Sequence, residues 1–125
     1  MAEDAALINI SNILHFLDND TEGVIKIIDL SIREIPVMQT NLNLAFEEKN
    51  LDSIHFYAHK LKATVNLLSI LSIKEDILYL ESGKTILKSK IKSAKALANI
   101  NFVLGEAVEE LLLLKVQLIA DNQKY

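Results

Sequence analysis

The stretch LDSIHFYAHKLKATVNLL, residues 51–68, decides the fold. Its apolar residues recur at spacings of 3, 4, 3, 4 and 3, namely Leu51, Ile54, Ala58, Leu61, Val65 and Leu68. Residues three and four apart lie on one face of an α-helix, so this spacing predicts a helix with a regular inward-facing seam. Asn50 is the predicted N-cap, because its side chain can accept a hydrogen bond from a free first-turn N–H.

Two further helical segments precede this stretch. A short one is expected over about residues 7–17, and a long one over about 21–48 with Asp20 as its N-cap. Pro36 lies inside the long segment, but the apolar spacing continues past it in phase, so we expect a kink and not a break. The stripe of the long segment is Val24, Ile28, Ile32, Ile35, Met38, Leu42 and Ala45.

A fourth helix is expected to follow the quoted stretch. Ser72 and Glu75 have the spacing of a capping box, which predicts that this helix begins near Ser72. Its predicted end is Ser82, followed by Gly83 in the left-handed conformation.

The last helix is expected over about residues 93–121, after a basic connection over residues 84–92. Its apolar face is predicted to contain Ala94, Leu97, Leu104, Ala107, Val108, Leu111 and Leu118. Four long amphipathic helices joined by short connections predict an all-α fold. We therefore expect an antiparallel four-helix bundle with a short additional N-terminal helix, in a single domain over residues 1–125.

The composition excludes several classes of function. The chain has 125 residues, a net charge of −4 and no cysteine, which argues against nucleic acid as the main partner and excludes disulfides and thiolate sites. The acidic N-terminus lacks the basic region of a signal peptide, and the longest unbroken apolar run, residues 111–114, is too short to cross a membrane. We expect a cytoplasmic protein.

One histidine lies on the outer face of the quoted helix. On a helical wheel His59 falls away from the apolar seam, with Asp52, His55, Lys62, Ala63 and Asn66 near the same stripe. A neutral imidazole is a competent nucleophile near pH 7, and the ammonium of Lys62 could offset the charge of an accepted phosphoryl group. Such a histidine–lysine pair also occurs on solvated helix faces without any function, and the spacing alone leaves both interpretations open.

The same residues resemble a known signature. AHKLKATVNLLS, residues 58–69, is similar to the motif A-H-x-L-K-[GS]-[ST]-x-x-x-[LV]-G of histidine-containing phosphotransfer domains. The similarity extends over about residues 8–81, through the preceding NDTE, the proline-containing helix and the later YLES. Two residues differ from the motif: Ala63 stands where glycine or serine is usual, and Ser69 stands where glycine is usual.

The resemblance implies a histidine phosphocarrier in a multistep two-component phosphorelay. His59 would accept a phosphoryl group from a receiver-domain aspartate and pass it to another receiver, Lys62 would support the added charge, and Glu81 would orient the imidazole. No cofactor is expected to be bound, because Mg²⁺ would be supplied by the partner receiver domain. The implied partners are receiver domains of a hybrid histidine kinase or a response regulator.

Around the histidine we expect a partner-binding surface that includes His55, Ala63 and Asn66. It would extend over the outer face of the third helix, the adjoining second helix and the short first helix. No autonomous kinase activity is expected, since a chain with three glycines holds no Gly-rich phosphate loop. The initiating Met1 and the ending at Tyr125 favour a free-standing protein.

Two alternatives remain open. The chain could be a non-catalytic module that binds receivers or associates with itself. His55 and His59, four residues apart on one helix, also have the spacing of two metal ligands, although no third ligand is evident and Lys62 would repel a cation.

Overall fold

The protein is all-α, as the apolar spacing predicts. The computed structural model describes residues 7–82 and 88–122, and these residues form five α-helices and no strand. The helices are α1 (Ser11–Phe16), α2 (Thr21–Glu47), α3 (Leu51–Leu68), α4 (Lys74–Glu81) and α5 (Lys90–Asn122), with a 3₁₀ turn at Leu71–Ile73 before α4. The predicted glycine cap, Gly83, and residues 84–87 of the basic connection lie outside the described residues.

The four longer helices form a closed ring. α2 contacts α3, α3 contacts α4, α4 contacts α5, and α5 returns to contact α2. The helices α3 and α5 therefore lie across the diagonal of the bundle. α1 packs against α2 and α3, as expected for an additional N-terminal helix.

Most residues of the predicted apolar seams are buried in the core. In α3, every predicted residue except the half-buried Leu51 is buried. In α2, Ser31 is buried in place of Ile32, which is half-buried. Burial of the Ser31 hydroxyl is tolerated because it donates a hydrogen bond to the carbonyl oxygen of Ile27 at 2.9 Å.

The predicted inner face of α5 is partly wrong. Ala94 is exposed, and Leu97, Val108 and Leu118 are only half-buried. The buried residues of this helix are Ser93, Ala96, Ile100, Val103, Leu104, Ala107 and Leu111. Apolar residues occur on more than one side of α5, so their spacing does not determine which side faces the core. The packing of α5 against α2 and α4 determines which side is buried.

The helix starts confirm two of the three predicted N-cap residues, Asn50 and Asp20. The Asn50 side chain accepts a hydrogen bond from the Ser53 N–H at 3.1 Å. Asp20 occupies the N-cap position of α2, but its side chain makes no capping bond. The capping box at Ser72 is wrong, because the 3₁₀ turn precedes α4 and the N-cap residue is Ile73. This turn allows Ile70 and Ile73, three residues apart, both to be fully buried.

The end of α3 explains one departure from the resembled signature. Ser69, where the motif has glycine, adopts the left-handed conformation with φ 56° and ψ 42°. Glycine takes this conformation without steric cost, whereas a residue with a Cβ pays about 1 kcal/mol. Serine therefore preserves the turn with a small loss of stability.

Pro36 lies within α2, which runs through it as one helix. A proline has no N–H to donate to the carbonyl oxygen four residues earlier, that of Ile32. Four residues later the Thr40 hydroxyl donates to the Pro36 carbonyl oxygen at 3.0 Å. As predicted, the apolar stripe is not divided into two helices.

None of the helices in the described ranges is sufficiently long and apolar to cross a membrane.

Candidate functional site

The outer face of α3 presents His59 to solvent. Its side chain is 63% exposed, while Ala58 and Leu61 on the inner side of the same helix are fully buried. The inner seam fixes the rotation of α3 about its axis, and this rotation places the imidazole outside. The predicted exposure of His59 is confirmed.

Glu81 joins the histidine to the lysine. It is the last residue of α4, the helix that packs beside α3, and its side chain is only 14% exposed. One carboxylate oxygen, Oε2, lies 2.5 Å from His59 Nδ1, and the other, Oε1, accepts a hydrogen bond from Lys62 Nζ at 2.9 Å. His59 and Lys62, which the helical wheel places together, thus form one connected cluster with Glu81, whose role the resemblance implies.

The two hydrogen bonds control the charge of the glutamate. The bond from His59, followed by the bond from Lys62, holds the pKa of Glu81 below its usual value, and partial desolvation opposes this effect. The carboxyl group is therefore ionised at neutral pH and acts only as an acceptor.

This charge state determines the tautomer of His59. Because a carboxylate only accepts hydrogen bonds, the hydrogen shared with Glu81 must belong to Nδ1. In the neutral ring the lone pair then lies on Nε2, at the edge of the imidazole away from Glu81. His59 accordingly offers Nε2 as its free nucleophilic atom.

Lys62 lies on the same side of α3 as the histidine. Its side chain is 29% exposed and hence half-buried. The reason is its position on the flank of α3 that faces α4, where the ammonium group reaches the Glu81 carboxylate. The cation is thereby held close to the imidazole.

His55 supports this cluster from the preceding turn. Its Nδ1 donates a short hydrogen bond to the main-chain carbonyl oxygen of Glu81. Carbonyl groups in the last turn of a helix lack intrahelical donors, so this bond caps α4 at the residue that binds His59. The His55 and His59 rings are nearly parallel, with 6.3 Å between their centroids. His55 thus ties the end of α4 to α3.

The other flank of α3 is more apolar. The predicted partner-binding residues Ala63 and Asn66 are exposed. Phe56 and Leu67, which the sequence analysis did not single out, are also exposed, by 53% and 43%. Phe56 lies seven residues before Ala63 and Leu67 four residues after it, so both lie on the same stripe of the helix. This spacing could have identified the two residues from the sequence.

The short helix α1 lies near the C-terminal end of this surface. Asn12 donates a hydrogen bond to the Ser69 hydroxyl at 3.3 Å, and the Asn9 N–H bonds to the Leu68 carbonyl oxygen at 3.0 Å. These contacts anchor α1 beside the last turn of α3, close to Asn66.

The described part of the chain contains no group of three or more histidine, cysteine, aspartate or glutamate residues that could hold a metal ion. The histidine pair of α3 uses both of its Nδ1 atoms to bind Glu81. The adjacent Lys62 ammonium adds a positive charge that disfavours a cation here.

Comparison of the chain with models of protein families, with curated proteins and with solved structures gave no match.

Proposed function

We propose that the protein is a histidine phosphocarrier of a multistep phosphorelay, with the chemistry of a histidine-containing phosphotransfer domain. The observation that carries this proposal is the His59–Glu81–Lys62 cluster. It holds Nδ1 of an exposed imidazole on an ionised carboxylate, leaves Nε2 free, and places an ammonium group beside it.

The reaction that fits this cluster is a reversible phosphoryl transfer. Nε2 of His59 attacks the phosphorus of an aspartyl phosphate on a receiver domain, forming an N–P bond as the P–O bond to the aspartate breaks. The aspartate leaves as a carboxylate. Nδ1 retains its hydrogen, and the Glu81 carboxylate offsets the positive charge that develops on the ring. Attack by the aspartate of a second receiver reverses these bond changes.

Lys62 supplies charge for the phosphoryl group. The ammonium lies on Glu81 in the free protein, within the same cluster as the imidazole. A phosphoryl group on Nε2 brings about two negative charges, to which a nearby lysine donates charge-assisted hydrogen bonds. Mg²⁺ is assigned to the partner receiver domain.

The docking surface for receivers is assigned to the exposed stripe of α3 that contains Phe56, His59, Ala63, Asn66 and Leu67. A polar reactive centre flanked by two exposed large apolar side chains is typical of a protein-binding surface. The small Ala63 side chain beside His59 leaves room for the receiver's active site to approach.

A phosphorylated receiver domain with bound Mg²⁺ tests the proposal. Incubation with the protein should transfer phosphate that is labile in acid and stable in base, and His59→Gln should abolish this transfer. His15→Gln is the matched control, since His15 is exposed on α1, outside the cluster. Labelling that persists in His59→Gln would contradict the assignment.

A second incubation, with ATP and no partner kinase, should leave His59 unmodified. Labelling under these conditions would show an activity that the proposal excludes. The remaining alternative, a module that binds receivers without accepting phosphate, predicts complex formation with a phosphorylated receiver but no label on this chain.

A further inference from the structure

The outer face of α5 carries a second seam. Alternating spacings of four and three connect Ile91, Lys95, Ala98, Phe102, Gly105, Glu109, Leu112, Val116 and Ile119, and all nine residues are exposed. Three of the five large apolar members are strongly exposed, Ile91 by 73% and Phe102 and Val116 by 66% each, whereas Leu112 is 47% and Ile119 36% exposed. The nine positions form one stripe about four heptads long, in which apolar residues are interrupted by Lys95, Gly105 and Glu109.

This outer seam lies opposite the buried side of the helix. The buried seam runs through Ala96, Ile100 and Ala107, facing α2 and α4. Phe102 is two residues from Ile100, about 200° around the helix, and therefore points away from the bundle. The burial of α5 residues ends at Leu111, whereas the helix and its outer seam continue for more than two further turns.

The two charged members of the outer seam are complementary. Lys95 and Glu109 have opposite charges and lie seven residues to either side of Phe102. If two copies of α5 pair in parallel, Lys95 faces Lys95 and Glu109 faces Glu109, and both pairs repel. If they pair antiparallel about Phe102, Lys95 of each copy meets Glu109 of the other, and the small residues Ala98 and Gly105 lie next to the aromatic ring. Nothing lies within 4 Å of a Cβ built on Gly105, so the space beside it is open.

We propose that the outer seam of α5 binds a second copy of this chain, in an antiparallel, two-fold symmetric dimer centred near Phe102. A two-fold interface requires a surface that complements itself, and the antiparallel pairing of Lys95 with Glu109 provides this property. Pairing about Phe102 overlaps residues 90–114 of α5 in the two copies, about 36 Å of helix, so Ile91, Phe102 and Leu112 become covered.

The dimer leaves the phosphotransfer surface accessible. α3 and α5 lie across the diagonal of the bundle, so pairing through α5 places the two His59 faces on the outer sides of the dimer. The proposal is independent of phosphoryl transfer and is tested on the unmodified protein.

Analytical ultracentrifugation tests it directly. At about 100 µM the wild-type chain of 14.0 kDa should sediment as a dimer. Phe102→Glu should give a monomer, because it places two carboxylates near the two-fold axis. Phe16→Glu is the matched control: Phe16 is 87% exposed on α1, and this variant should remain dimeric.

Charge reversal tests the antiparallel direction. Lys95→Glu should weaken dimerisation about tenfold, since two attractive pairs become repulsive. Adding Glu109→Lys to it should restore the wild-type affinity. A monomeric wild-type protein, a Phe102→Glu variant that stays dimeric, or a Lys95→Glu variant of unchanged affinity would overturn the proposal. Because all the changed residues are exposed, a circular dichroism spectrum with wild-type helicity shows that each variant is folded.

Discussion

The helices α3 and α5 lie across the bundle from each other and differ mainly on their outer faces. Inside, both present a regular apolar seam, in which Leu61 of α3 and Leu104 of α5 are fully buried. Outside, α3 carries an ionisable cluster around His59, whereas α5 carries apolar residues around Phe102. Because packing around the core determines the inner face of each helix, the two helices differ mainly in the side chains that they present to solvent.

The largest effect is expected from removing a core side chain of α3. Leu61→Ala should lower the free energy of unfolding by about 2–5 kcal/mol, because the fully buried side chain leaves a cavity. Leu67→Ala is the matched control on the same helix; Leu67 is 43% exposed, and its loss should cost less than about 1 kcal/mol. Urea denaturation measures the free energy of unfolding of both variants. A similar loss of stability in the two would contradict the distinction between the inner and outer faces of α3.

Removing the outer-face cation should affect chemistry more than folding. In the proposed reaction, Lys62→Ala should slow phosphoryl transfer from a phosphorylated receiver by about ten- to a hundredfold, because the charge proposed to stabilise the transferred group is lost. The exposed Lys26 on α2 provides a control, Lys26→Ala, for the loss of one positive charge. A rapid-quench transfer assay measures the rates, and equal rates in the two variants would show that Lys62 has no part in the reaction.

A smaller effect is expected from crowding the outer face. Ala63→Leu should change the free energy of unfolding by less than about 0.5 kcal/mol, because residue 63 is exposed. The larger side chain beside His59 should nevertheless slow transfer severalfold by hindering the approach of the receiver. Denaturation and transfer assays on the same preparation separate the two quantities, and unimpaired transfer would place the docking surface elsewhere.

The effect expected from Glu81 depends on pH. Its pKa is lowered by the hydrogen bonds from His59 and Lys62, so its ionised form stabilises the folded protein above about pH 4.3, the usual pKa of glutamate. This stabilisation disappears as the pH falls through the lower pKa of the folded state. Glu81→Gln should therefore be less stable than the wild type at pH 7, by about 1 kcal/mol, and this difference should narrow as the pH falls below about 4.

Urea denaturation at pH 7 and in acid measures this difference. Glu75→Gln, at an exposed residue of the same helix, is the control for the general effect of losing one carboxyl group. A difference between wild type and Glu81→Gln that is independent of pH would mean that the ionised carboxylate does not stabilise the fold.

The buried face of a helix was predictable where the helix has only one apolar stripe. For α3, the sequence predicted the buried residues and the Asn50 cap. For α2, it predicted all but one of the buried residues. In α5 both sides are apolar, and the spacing could not indicate which side is inside. The 3₁₀ turn before α4 was missed as well, because the burial of Ile70 and Ile73 determines the backbone there, and not a local capping signal.

The candidate site was predictable in part for the same reason. The exposure of His59 follows from its position relative to the α3 seam, and the placement of Glu81 near the imidazole, expected from the resemblance, matches the structure. The half-burial of Lys62 and the hydrogen bond from His55 to the end of α4 could not be predicted from the sequence. Both depend on how closely α4 approaches α3.

By itself, the sequence determined which residues of α3 point inward and which point outward, because a helical period of 3.6 residues assigns each side chain to a face once one stripe is buried. Only the tertiary structure decided that the Glu81 carboxylate binds both the exposed imidazole and the Lys62 ammonium, and that α5 presents further apolar residues to solvent. The physical reason is that helical periodicity is a local property, whereas the contact between α3 and α4, and the rotation of α5 about its axis, are fixed by packing around the common core.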